Sequence, residues 1–407
     1  MWKETKVVKN VSQYNFDARY GVYATTDKDD KSILYIDGKE IPFMEIGSVG
    51  SYEDKVIVQV DDGTGMCMYE TMFFTKDGEL LNVVKNTYSL DSNTNLRYMN
   101  VLVYKGENRV YNNNLVDIET GEMIFKESYI GSRYVFGNMI FTNENNIVTR
   151  YDWDGSILWQ HNYEPDFNVK INLGFVMEGV CGGKLWVKSS VDWHDILLAI
   201  DVNTGELLKA FSKSKEDTNH EHCVLHVNKV FLNQESGQVM NVYDCVSVID
   251  SGTLNVIDSY YPEKEFEKYI DERVHYLLAN NPYAKYLIYL CIMEEDDTPT
   301  CFFIFNTETK QIEFSTRMFT PKERSKGYGI TNHYAVQFFD TGYICVHDNG
   351  DRLHIFEDVK EYQQAPSLVL PNLQFGSINK REFATRIVAL RQKVMDFLAV
   401  GILVSLR

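Results

Sequence analysis

What this chain of 407 residues lacks narrows it first. Its seven cysteines include no CxxC pair. An odd, dispersed set of thiols excludes a disulfide framework and points to reduced cysteines in a cytoplasmic protein. The opening "MWKETKVVKNVSQYNF" holds no apolar core of secretory type, so no signal peptide is expected. The most apolar run, 397–406, is about half the ~20 residues of a spanning helix, so no membrane span is expected. Basic residues are also in short supply: 40 Lys and Arg stand against 58 Asp and Glu, a formal charge of −18. That balance repels nucleic-acid phosphates and anionic lipids, and no patch strong enough to bind either is visible. Prolines number only eight.

What is present reads as a globular, strand-rich chain. Hydrophobic residues make up 44%, with 26 Tyr and 23 Phe, and aromatic-rich sequence favours strands. Acidic runs stand at 27–30 ("DKDD"), 61–62 ("DD") and 294–297 ("EEDD"). They read as solvated loop tips or as an attraction for a basic partner.

A repeat organises the rest. In "LLAIDVNTGELLKAF" (197–211) an apolar strand ends at Asp201, turns at Thr204 and Gly205, and returns as a second apolar strand. "NLVDIETGEMIFKE" (114–127) repeats the frame with Asp117, Thr120 and Gly121. "SVIDSGTLNVIDS" (247–259) keeps Asp250 and Thr253 but has Leu254 at the glycine position, and "FIFNTETKQIEFS" (303–315) has Asn306, Thr309 and Lys310. "RYDWDGSILWQHN" (150–162) is a shorter version, with Asp154 and Gly155. The chemistry is that of a hairpin: Asp or Asn accepts from backbone N–H groups, and Gly takes the positive φ. Turn positions 38, 78, 121, 155, 205, 254 and 310 lie 34 to 56 residues apart, the length of a four-stranded propeller blade. Short β-prone segments upstream, such as 55–60, 184–190 and 286–293, are expected as inner strands. Residues 334–357 supply three strands, and the N-terminal 5–11 is expected to close that last sheet. The fold expected is all-β, a propeller of seven or eight four-stranded blades over 1–357, with a short C-terminal helical extension.

"AIDVNTGELL" and "YDWDGSILW" resemble the repeats of quinoprotein-like and WD-repeat-like β-propellers. In those folds a strand, an Asp-bearing turn and a Leu- or Trp-bearing strand recur in each blade. The resemblance covers about 20–357 and implies a fold, because such propellers host many unrelated functions.

Four kinds of chemistry have candidate residues on this frame. Calcium at Asp152 and Asp154 would need about six oxygens, and Asp-x-Asp-Gly before an apolar strand reads instead as a hairpin turn. A quinone would require more than Trp159 after a turn glycine, so Trp159 reads as a blade-packing aromatic and no cofactor is expected. Metal could use His220, His222, Cys223 and His226, the one dense group of soft ligands. Against that, strand alternation separates His222 and His226 from Cys223. For hydrolysis no nucleophile elbow or His-Glu-x-x-His motif occurs, and no catalytic residue is assigned. Asp192, Trp193, His194 and Asp195 form the best binding-loop candidate, set against an exposed hairpin tip.

The composition changes at the end of the chain. Residues 358–378, with Pro366 and Pro371, read as a linker. Residues 379–407 read as an amphipathic helix, capped by Asn379 and Glu382, with Phe383, Ile387, Leu390 and Val394 on one stripe. Lys380, Arg381, Arg386, Arg391 and Lys393 give it a basic character, suited to docking on the propeller or on a partner. The functional expectation is a non-enzymatic scaffold binding another protein, one with a basic surface that it would neutralise. The alternative is a carbohydrate-active or small-ligand propeller with an axial pocket.

Overall fold

A computed structural model describes residues 2–17, 21–26, 31–36, 39–61, 68–88, 90, 95–105, 110–125, 133–144, 147–163, 176–191, 194–211, 229–242, 245–266, 275–278, 285–292, 298–331, 336–339 and 342–359. Strand β1 (Trp2–Lys9) belongs to the last sheet, and the first sheet is β2 (Val11–Asp17), β3 (Gly21–Thr26), β4 (Lys31–Ile36) and β5 (Lys39–Phe43). The second holds β6 (Ser48–Tyr52), β7 (Lys55–Asp61), β8 (Tyr69–Thr75) and β9 (Leu80–Thr87), extended by β10 (Tyr98–Lys105) and β11 (Val110–Asp117). The third is β12 (Arg133–Phe136), β13 (Met139–Glu144), β14 (Ile147–Tyr151) and β15 (Ile157–Asn162). Next come β16 (Val176–Cys181), β17 (Lys184–Val191), β18 (His194–Asp201) and β19 (Leu207–Phe211). The fifth is β20 (Lys229–Asn233), β21 (Gln238–Val242), β22 (Val246–Asp250) and β23 (Asn255–Tyr260), followed by the helical turn α1 (Glu263–Phe266). The sixth is β24 (His275–Leu278), β25 (Tyr286–Ile292), β26 (Cys301–Asn306) and β27 (Gln311–Arg317), followed by α2 (Pro321–Arg324). The seventh is β28 (Val336–Phe339), β29 (Tyr343–Asp348) and β30 (Arg352–Asp358), with β1 as its fourth strand.

These seven antiparallel sheets make an all-β propeller of seven blades. The turn spacing allows seven or eight, and the unit around Asp117 and Gly121 decides the count. It adds to the second sheet through Val101 opposite Thr87 and through Tyr88 N–H donating to Asn100 O at 3.1 Å. The buried Gln59 holds that junction. Its Nε2 donates to Thr71 Oγ1 at 3.0 Å and Tyr88 O at 2.8 Å, and its Oε1 accepts from Leu90 N–H at 3.1 Å.

The segments expected as inner strands, such as 55–60, 184–190 and 286–293, are the second strands of their sheets (β7, β17 and β25). A second strand has a strand on either side and a blade on either face, so both its parities are apolar. In β17, Leu185 and Val187 pack with Trp159 and Leu198 between the third and fourth sheets. Trp186 points the other way, into a cluster with Val239 and Ile249 of the fifth. The first strands lie nearest the axis, where those of successive sheets touch: β2 with β6, β12 with β16, β16 with β20. They carry more polar residues, and that is why they are harder to recognise by hydrophobic pattern.

The last sheet is completed by the N-terminus. Strand β1 pairs antiparallel with β30 from Trp2 opposite Asp358 to Lys9 opposite Arg352. Residues 360–407, which hold most of the expected linker and all of the expected helix, lie outside the described residues. Among the described residues no helix is long and apolar enough to cross a membrane.

Candidate functional site

Strand direction sorts the connections of a four-stranded meander to two ends. Connections between first and second strands, and between third and fourth, share one end. Those between second and third strands, and between successive sheets, share the other. The repeated turns lie at the first end, where their Asp side chains accept backbone N–H groups and Asp117 also pairs with Arg97 at 2.9 Å. Asp117 Oδ1 accepts from Glu119 N–H at 3.0 Å, and Gly121, at φ 73°, donates to Asp117 O at 2.7 Å. Asp201 Oδ1 accepts from Asn203 and Thr204 N–H at 2.8 and 3.0 Å. Gly205 takes φ 75° and donates to Asp201 O at 2.9 Å. At "YDWDGS", Asp154 Oδ1 accepts from Ser156 N–H at 2.8 Å, Asp152 Oδ1 from Trp153 N–H at 2.8 Å, and Gly155 sits at φ 88°. Hydrogen bonds from Ser156 hold the Asp154 carboxyl below its ordinary value. Trp159, almost fully buried, donates Nε1–H to Val202 O of the next sheet at 2.7 Å.

The three acidic runs fall between strands that open towards the second end; 27–30, Asp62 and 294–297 themselves lie outside the described residues. Residues 27–30 connect β3 to β4, 61–62 open the β7–β8 connection, and 294–297 lie between β25 and β26. Each is the second-to-third connection of its sheet. "SSVDWHD" (189–195) is the corresponding connection of the fourth sheet, where Val191 pairs with His194 and Ser190 with Asp195. Asp195 is half-buried in that ladder. Asp192 and Trp193 lie outside the described residues, as does the side chain of His194. His220, His222, Cys223 and His226 fall between β19 and β20 in sequence and lie outside the described residues. Among the described residues no group of three or more His, Cys, Asp or Glu side chains is arranged to hold a metal ion. The five described cysteines are buried thiols.

Two charged clusters had no signature in the sequence pattern. Near the axis, Glu178 on β16 is almost buried, and Lys188 Nζ lies 3.6 Å from its Oε1. Lys229 opens the neighbouring strand β20 under the field of the same carboxylate. Burial pushes its ammonium down to about 7, with Glu178 opposing that shift.

The other cluster sits at the closure of the ring. Asp348, fully buried at the end of β29, accepts from Arg352 Nε at 2.6 Å and lies 3.1 Å from His354 Nε2. Its second oxygen accepts from Gly350 and Arg352 N–H at 2.9 and 3.0 Å. Arg352 Nη1 reaches Glu323 at 3.3 Å, and Glu323 closes a capping box with Thr320 at the start of α2. Burial pushes the Asp348 carboxyl up, and hydrogen bonds from His354 and Arg352 outweigh it, leaving the group below its ordinary value.

No known family model matches the chain, and no curated protein matches it. Among solved structures it is similar to the computationally designed Ika8 protein, at 12% identity and TM-score 0.44 over 86% of this chain and 96% of that one. It is also similar to BamB from Moraxella catarrhalis, at 12% identity and TM-score 0.42 over 89% and 99%. Sqt1 of Saccharomyces cerevisiae gives 10% identity and TM-score 0.46 over 88% and 97%.

Proposed function

We propose that this chain is a non-enzymatic interaction scaffold whose second end binds a protein with a basic surface. One observation carries the reading: the runs 27–30, 61–62 and 294–297, far apart in sequence, each fall between the second and third strands of a sheet, and antiparallel strands open all such connections towards one end. Converging like charge raises the on-rate and the selectivity for an oppositely charged partner more than it raises raw affinity. Buried thiols fit a reducing, cytoplasmic setting.

The test is capture of basic proteins by the full chain at rising salt, beside a variant with Asp27, Asp29, Asp30, Glu294, Glu295, Asp296 and Asp297 changed to their amides. The reading expects a complex that weakens with ionic strength and is lost in the amide variant. An unchanged complex in that variant rejects it. The rival, a small ligand in an axial pocket held by Asp192, Trp193, His194 and Asp195, predicts glycan binding indifferent to salt and abolished by Trp193→Ala.

A further inference from the structure

The seventh sheet is the one place where the ring is joined without a covalent link, and β1 is weakly anchored there. Six of its eight residues are exposed and the other two half-buried. Beyond the β30 ladder it has Thr5 Oγ1 donating to Glu357 Oε1 at 2.9 Å, Lys6 paired with Glu40 and lying over the Tyr35 ring, Trp2 packed against the core between the sixth and seventh sheets, and Val8 against that between the seventh and first.

Into this strand reaches His354 of β30, a nearly buried imidazole with an oxygen opposite each nitrogen. Nδ1 lies 2.9 Å from Glu4 Oε1 on β1, and Nε2 lies 3.1 Å from Asp348 Oδ2. Ionised carboxylates only accept hydrogen bonds, so satisfying both contacts requires a proton on each ring nitrogen. The charged groups around the ring are Glu4 from β1, Asp348 from β29, Arg352 on β30 itself, and Glu323 from α2 behind Arg352. Phe319 packs edge-on to the ring at 6.4 Å between centroids.

We propose that His354 is a protonation-gated clasp: as imidazolium it ties β1 through Glu4 to the buried Asp348, and as neutral imidazole it releases Glu4 and loosens the closing strand. The asymmetry of the two carboxylates decides which contact breaks. Asp348 is fully buried and held by Arg352 and two backbone N–H groups, so the remaining proton stays on Nε2. Nδ1 then presents a lone pair to Glu4, which is 43% exposed and free to turn to water.

Burial pushes His354 down, but Asp348 and Glu4 outweigh it and hold the imidazolium above its ordinary range. A histidine raised on folding contributes stability that is complete below its unfolded value, about 6.5, and is lost as pH rises through the folded one. The clasp is therefore closed in mild acid and opens on the alkaline side. The consequence is local, because β1 can yield while the other six blades keep their ladders.

The test follows the full chain by hydrogen exchange, with protection factors correcting for the intrinsic pH dependence, beside an NMR titration of the His354 ring. Protection of the β1 amides that donate to β30 should fall about tenfold between pH 6 and pH 9, the worth of one charge-assisted hydrogen bond. The midpoint should coincide with the ring titration. Glu4→Gln, at an exposed position, should remove the step while β29 keeps its protection, and His354→Gln should make β1 exchange independent of pH. Constant protection in the native chain, a step that survives Glu4→Gln, or a ring already neutral at pH 6 overturns the proposal.

Discussion

The indole of Trp159 and the backbone of Gly205 form one joint between the third and fourth sheets. A Cβ placed on Gly205 would lie 2.6 Å from the indole ring. Tyr163 Oη donates to the carbonyl of the same glycine at 2.7 Å. The turn glycine thus serves twice, once for its positive φ and once for the close approach of a neighbouring blade.

That double role separates two glycines with the same turn geometry. At Gly121, also at positive φ, the nearest atom to an added Cβ is Asn82 Nδ2 at 3.9 Å. Gly121→Ala should cost about 1 kcal/mol, the backbone penalty alone. Gly205→Ala adds displacement of the indole and should cost about 2–4 kcal/mol. Urea unfolding of the two variants measures the difference, and equal losses would remove the role given to Trp159.

At Trp159 itself, substitution divides packing from hydrogen bonding. Trp159→Phe keeps a ring but loses the donor to Val202 O, which Arg150 Nη1 still reaches at 2.6 Å, so the cost should stay near 1 kcal/mol beyond lost area. Trp159→Ala empties the core between two sheets and should cost about 3–5 kcal/mol. The same denaturation series reads both.

The buried Gln59 should hold the β10–β11 unit on the second sheet. Gln59→Leu conserves bulk but takes their Gln59 partner from Leu90 N–H and Tyr88 O, while the hydroxyls of Thr71 and Thr87, 2.5 Å apart, keep each other. A loss of about 2–4 kcal/mol is expected, with faster exchange of the Tyr88 amide, which donates to Asn100 O across the joint. Unchanged exchange there would show that Gln59 is not the joint.

Acid should attack the closure at Asp348. Its carboxyl is lowered on folding, so the stability it contributes is present above its unfolded value, about 3.9, and is lost as pH falls through the folded one. Asp348→Asn leaves Arg352 and His354 without their shared anion and should cost about 3–5 kcal/mol at neutral pH. It should also flatten the acid limb of stability against pH. Thermal unfolding from pH 2 to pH 7 checks both effects, and an unaltered acid limb would contradict the assignment.

How much of this was legible depends on the range over which each feature acts. The turns at Asp117, Asp201 and Asp250 are local: an oxygen and the N–H groups it accepts are two or three residues apart, so sequence spacing reports them. Where glycine is missing, Leu254 and Lys310 take positive φ at 58° and 55° in its place, and the frame persists because the Asp or Asn oxygen still closes the turn. The identity of the first strands was not legible, since β16 and β20 carry Glu178 and Lys229 where a periodic pattern would place apolar residues. The closure was hidden more deeply. Glu4 and His354 are 350 residues apart, and no local rule relates them.

The sequence by itself determined the repeat: short apolar strands and self-satisfied turns at blade spacing, a reading that needs only hydrogen bonds between near neighbours and alternation along a strand. Tertiary structure alone decided what the charges do. The antiparallel course of each sheet sorts its connections to two ends. Meeting of the chain's first strand with its last blade buries Asp348 beside His354 and brings Glu4 to the other nitrogen. Those relations depend on which strands become neighbours when the ring closes, and neighbour identity is a property of the closed ring rather than of any window of residues.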